Sequence, residues 1–193
     1  MDDSPSRLPR ALRAFGHRDF RLFWSGQFFS LIGTWMQSVA QAWLVLELTN
    51  SPFRLGLVSA LQFTPILLFA VFTGALADRL PKRKLLLASQ SLLCLQASVL
   101  AALVWQGHVR YWHVAVLATV YGLANSVDMP ARQSFIADMV GRADLQNAVA
   151  INSAMFNGAR VIGPAVAGFV IARWGEAPAF LLKIGRASCR ERV

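Results

Sequence analysis

GALADRLPKRK (residues 74–84) places one acid and four bases within the seven positions from Asp78 to Lys84, between two long stretches with almost no charge. In a water-soluble domain such a cluster would merge with other charged surface. Here 55% of the 193 residues are hydrophobic, only 15% are charged, and the mean hydropathy is +0.46. That composition belongs to the membrane class, and the cluster reads as a loop joining two membrane spans.

The net charge of +9 raises nucleic acid as a partner. The bases, however, fall in short groups between apolar runs, as in membrane-flanking loops, so no nucleic-acid partner is expected. The two cysteines, Cys94 and Cys189, make no disulfide framework. The polar, basic N-terminus and the long apolar run after it do not form a cleavable signal peptide.

A bilayer core about 30 Å thick needs roughly 20 helical residues to cross it. Residues 22–46, 53–77, 85–105, 111–127 and 148–171 are such runs, and a sixth starts at 177. Residues 1–21 form an N-terminal segment. That segment carries five bases, the loop after the second span four, and the loop after the fourth two (Arg132 and Arg142). The other loops carry one each: Arg54, Arg110 and Arg173. The bias places the N-terminus and the 74–84 loop in the cytoplasm. Trp105, Tyr111 and Trp112 flank the loop between spans three and four, at the opposite interface. Between spans four and five, DMPARQSFIADMVGRADLQ (128–146) mixes apolar and polar residues at helical spacing. It is expected to break from span four at Pro130 and lie along the cytoplasmic interface.

After Leu182 the chain reads KIGRASCRERV. The six apolar residues before it cover only about 9 Å, far short of a crossing. The string resembles one reading frame of a sequencing adapter. Residues 183–193 are therefore read as an artefact, and the chain as a truncated piece whose sixth span is incomplete.

Gly74-x-x-x-Asp78-Arg79-x-Pro81-Lys82-Arg83 resembles the major facilitator superfamily signature G-x-x-x-D-[RK]-x-G-[RK]-[RK], with Pro81 replacing a glycine. In span five, Ala159-x-x-x-Gly163-Pro164-x-x-Ala167-Gly168 resembles the g-x-x-x-G-P-x-x-G-G motif of that superfamily's exporters and antiporters, with two glycines replaced by alanine. Residues 15–60 and 128–140 resemble its transmembrane secretion effector branch. The resemblance implies an all-α transmembrane fold, the N-terminal six-helix half of a twelve-helix transporter built as a 3+3 inverted repeat. A faint echo of Gly74-x-x-x-Asp78-Arg79 at Gly168-x-x-x-Ala172-Arg173 agrees with such a repeat. It further implies a proton-coupled exporter of a siderophore, drug or metabolite in a bacterial cytoplasmic (inner) membrane, with the lipid bilayer, protons and a missing C-terminal half as partners. An importer or lipid flippase of the same fold, or a non-functional truncated product, is the alternative. Neither an enzyme nor a cofactor is expected, because paired carboxylates, Cys/His clusters, a nucleophile elbow and a phosphate loop are all missing from the sequence.

The same resemblance makes Gly74, Asp78, Arg79, Pro81, Lys82 and Arg83 a conformational latch closing on the other half. The bases could equally serve to fix orientation. Arg160 lies well inside span five, where a charge costs about 2.5–3.5 kcal/mol to insert, so it faces protein or a wet cavity. It is read either as a site for an anionic group or acidic partner, or as a structural arginine bonded to carbonyls. Asn157 lies one turn before it. Gln37 with Gln41, and Tyr121 with Asn125, are i,i+4 polar pairs at membrane depth. Both substrate contacts and interhelical hydrogen bonds suit them. The Gly163–Pro164 pair should kink span five. The three histidines sit at loop ends and are read as solvated.

Overall fold

A computed structural model describes residues 14–16 and 18–174, which fold into long helices joined by short connections. The first three are α1 (Arg18–Thr49), α2 (Pro52–Arg79) and α3 (Lys82–Trp105). The following helical stretch, Tyr111–Trp174, bends at Gly141, whose φ of 69° and ψ of 174° are not helical. We call the segment before the bend α4 (Tyr111–Gly141) and the segment after it α5 (Asp144–Arg173). The sixth span expected from residue 177 and the tail at 183–193 lie outside the described residues, as does His17.

Each junction follows local chemistry. Asn50 takes a left-handed conformation (φ 45°) and its N–H donates to Leu46 O at 2.7 Å. Ser51 Oγ then accepts from Arg54 N at 3.4 Å, and Pro52 opens α2, the first helical position that proline tolerates best. Pro81 stands immediately before α3, and its carbonyl accepts from Lys84 N at 2.9 Å. At the end of α3, Gly107 N donates to Val104 O and His108 N to Leu103 O, both at 3.1 Å, the paired bonds of a Schellman close. His113 Nδ1 accepts from Arg110 N at 3.0 Å and caps the start of α4.

The expected break at Pro130 is not there. Helix α4 runs through Pro130 to Gly141, so DMPARQSFIADMVGRADLQ is no separate interfacial helix. Proline removes only one backbone bond. Asp128 and Arg132, which flank it at i and i+4, form an ion pair across the proline position. The turn comes instead at Gly141, where a positive φ is available without a Cβ clash. Gly141→Ala should therefore destabilise the α4–α5 elbow by about 1–2 kcal/mol, read as a lower thermal midpoint of the purified chain. An unchanged midpoint would mean that the elbow tolerates an ordinary side chain.

The helices alternate in direction. At one end, Met36, Ala40 and Leu44 of α1 pack with Val58 of α2, Leu100 and Ala101 of α3, Val114 and Ala118 of α4, and Ala167 and Val170 of α5. At the other end, Ala14 and Phe20 pack with Ile136 and Val140 of α4 and Ala148 of α5. This second end holds the 74–84 junction. There Ala14 N donates to Asn147 Oδ1 at 3.0 Å, which ties the residues before α1 to the first turns of α5.

Small residues make up much of the buried set, as expected where lipid removes the hydrophobic drive and close packing must hold helices together. The outer surface is apolar: Phe63, Leu67, Leu68 and Phe72 of α2 and Val161 and Phe169 of α5 are each more than 60% exposed. So much exposed apolar side chain is incompatible with water and suits lipid or further protein.

Among the described residues, four segments are long and apolar enough to cross a membrane: Pro52–Phe69, Lys82–Trp105, Tyr111–Gly141 and Asp144–Arg173. At 32 residues, or about 48 Å, α1 has the length. It is more polar because it turns Gln27, Gln37 and Gln41 into the bundle, where all three are buried.

Candidate functional site

The most concentrated polar chemistry in the interior involves residues that the sequence reading did not single out as a site. Asp128 on α4 is 2% exposed. Its Oδ1 accepts from Ser89 Oγ at 2.7 Å and from Gln90 Nε2 at 2.6 Å, both on α3. Its Oδ2 accepts from Arg132 Nε at 3.0 Å and from Arg132 Nη2. The remaining Arg132 nitrogen, Nη1, donates to Gln27 Oε1 on α1. Three helices thus meet on one charge-neutral cluster in which each carboxylate oxygen has two donors. That degree of satisfaction is what a buried ion pair needs. The spacing Asp128-x-x-x-Arg132, opposite charges one helical turn apart, was the available signal. A loop placement of Arg132, as its position beside Pro130 suggests, hides that spacing; Arg132 lies within α4 and points inward.

Closer to the same end, Lys82 Nζ reaches Asp138 Oδ2 on α4 at 2.7 Å. The latch-motif lysine therefore has a partner within this chain. The side chains of Asp78 and Arg79 lie outside the described residues. A Cβ added at Gly74 would meet nothing within 4 Å, so that face of α2 is open in this chain. Pro81, Arg83 and Lys84 are exposed.

The α5 motif packs onto α1. Ala159 and Ala167 are fully buried, and Gly163 sits between them on the same stripe. A Cβ added at Gly163 would stand 2.4 Å from Trp35 Cβ and 3.1 Å from Ile32 O. The two alanines that replace motif glycines are accommodated, while the glycine at the closest crossing is kept. Pro164 lies within α5, and Gly168 has open space around it.

The remaining candidates separate into two groups. Gln37 and Gln41 are buried, and Gln37 Nε2 donates to Gln96 Oε1 on α3 at 3.1 Å, an interhelical bond directed into the bundle. Tyr121 and Asn125 are half-buried on α4, and Asn125 Nδ2 donates to Tyr121 O at 2.9 Å. Asn157 and Arg160 are exposed on α5. Asn157 Nδ2 holds Ser153 O at 2.8 Å. The Arg160 guanidinium lies over the Trp35 ring of α1, 5.6 Å from its centroid. Among the described residues, no group of three or more His, Cys, Asp or Glu side chains could hold a metal ion.

Long apolar helices, a lipid-compatible exterior and interhelical polar bonds at depth define a multi-pass helical membrane protein. The chain belongs to the transmembrane secretion effector family of the major facilitator superfamily, whose family model matches residues 10–186. It is 30% identical over 162 residues to the staphyloferrin A transporter of Staphylococcus aureus, across 83% of this chain and 41% of that protein. It is likewise 30% identical to the multidrug efflux pump Tap of Mycolicibacterium fortuitum, across 81% of this chain and 40% of the pump. To macrolide efflux protein A of Streptococcus pyogenes it is 23% identical, across 80% and 38%. The chain thus spans about 40% of the length of these relatives.

Proposed function

We propose that this chain is the N-terminal part of a secondary exporter of small molecules, coupled to protons and seated in a bacterial cytoplasmic membrane with its N-terminus inside. The α1–α5 crossing carries this reading: the exporter-type motif on α5 presses Gly163 against Trp35, with Ala159 and Ala167 sealed on either side. A helix packed this closely at glycine moves with its neighbour as a unit, as rocking transport requires. Relatives named for siderophore transport, multidrug efflux and macrolide efflux point in the same direction. The latch role of Asp78, with Arg79, Lys82 and Arg83 beside it, belongs to the same reading. Asp78 lies at the C-terminal end of α2, where an acid opposes the helix dipole and needs a cationic or helix-end partner.

Everted vesicles carrying the full-length protein should accumulate a carboxylate siderophore or an anionic amphipathic dye when a proton gradient is imposed, and lose it on addition of a protonophore. Asp78→Asn should lower turnover several-fold while leaving membrane insertion unchanged. Gradient-independent accumulation would overturn proton coupling, and unchanged turnover in Asp78→Asn would overturn the latch.

A further inference from the structure

We propose that Arg160 and Trp35 form an anion subsite, which selects substrates carrying a negative group on a flat apolar body. The inference rests on the exporter reading and names the chemistry its cavity would take.

Arg160 lies near the middle of α5, a segment long and apolar enough to span the bilayer. A guanidinium at that depth cannot face hydrocarbon without an acceptor, so its exposed side must meet water, ligand or more protein. The other buried-depth charges in α4, Asp128 and Arg132, satisfy each other. Among the described residues Arg160 has no acidic partner, and its guanidinium lies over the Trp35 ring. Stacking holds one face of the guanidinium and leaves its N–H edges free for an oxyanion.

Trp35 is held firmly. Its Cβ abuts Gly163, and Phe156 packs edge-on against its ring at 5.6 Å. The indole N–H is buried and meets no acceptor among the described residues. The guanidinium edges therefore lie over the same ring without an acceptor, and the ligand chemistry they call for is an anion. The N–H is covered in this arrangement, so the first contact falls to Arg160. The surroundings give the second half of the specificity. Phe156, which packs on Trp35, is 40% exposed, so apolar surface borders the charge on the same helix. Two of the other polar candidates are engaged elsewhere: Gln37 is bonded to Gln96 inside the bundle, and the Asn125 amide is spent on a backbone carbonyl.

The probes are 1-naphthoate and its cationic counterpart of similar shape, 1-naphthylmethylammonium. Binding is measured by equilibrium dialysis against the full-length transporter in nanodiscs of zwitterionic lipid, with no gradient. Naphthoate should bind in preference to the ammonium. Arg160→Gln should weaken naphthoate by about tenfold or more, as expected for loss of a charge-assisted hydrogen bond. Arg160→Lys should restore part of the loss, and Trp35→Phe should weaken binding less than Arg160→Gln. Equal binding of the two probes, no naphthoate binding, or binding indifferent to Arg160→Gln would overturn the subsite. Displacement of naphthoate by anionic lipid would also overturn it, assigning the site to a headgroup. If Arg160→Gln fails to insert, the comparison of the two probes on the unaltered protein decides. Failed proton-driven export would leave this binding result standing, and absent naphthoate binding would leave the export reading standing.

Discussion

Replacing Asp128 by alanine should destabilise the helical bundle by about 3–5 kcal/mol. The reason is what remains behind. Arg132 would keep its place between α1 and α4 with only Gln27 Oε1 as a partner, and Ser89 and Gln90 would lose their shared acceptor. A buried guanidinium without a counter-charge is far more costly than the absent pair itself. Replacing both charges with apolar residues of similar volume, Asp128→Leu with Arg132→Met, should therefore recover most of the loss. Denaturant unfolding of the chain in detergent micelles, followed by circular dichroism, measures both. If the double variant were as unstable as Asp128→Ala, the pair would not be acting as a mutually neutralised unit. Because the pair also spans Pro130, Asp128→Ala should increase helix loss around residues 126–134, seen as faster amide exchange there than in α3.

Gly163→Val should separate α1 from α5 and cost about 3 kcal/mol or more. The obstruction cannot be relieved by a rotamer change. The new Cβ would stand 2.4 Å from the Cβ of Trp35 and 3.1 Å from the Ile32 carbonyl, so one helix must move. Movement would uncover Ala159 and Ala167, now fully buried, and would take Arg160 off the Trp35 ring. A cysteine pair placed across α1 and α5 should cross-link readily in the parent chain and poorly in Gly163→Val, and Trp35 fluorescence should shift towards that of an exposed indole. The same substitution at Gly168, which has open space around it, should have little effect. Equal effects at the two glycines would show that helix propensity, not the crossing, sets the loss.

Much of the architecture is legible without coordinates. Long apolar runs punctuated by short basic loops determine where helices start and stop, because a bilayer imposes its thickness on each span. The turns are local as well: Asn50-Ser51-Pro52, Pro81 and Gly107 close or open helices by bonds within a few residues. The α4–α5 connection is less legible. Proline at 130 and glycine at 141 are both breakers on sequence grounds, and choosing between them depends on Asp128 and Arg132 bridging the proline, together with Ser89 and Gln90 from α3. Those contacts cross 38 or 39 positions of sequence.

The candidate site divides in the same way. A charge at mid-span marks Arg160 from composition alone, and motif spacing marks Gly163. An acid one turn away marks Arg132 as a residue that can be paired within its own helix, while Arg160 has none; spacing does not tell that the first is buried in a cluster with α1 and α3 and the second lies exposed over a ring of α1. Nor does spacing tell that Gln37 turns to Gln96 on α3. The amino-acid sequence by itself determined the membrane class, the helix boundaries set by local turns and the small-residue stripe of α5, since these follow from hydropathy and from bonds between near neighbours. Only the tertiary structure decided which polar groups satisfy one another inside and which remain open. That partition depends on helix rotation and distance across the bundle, and no periodicity along one helix contains them.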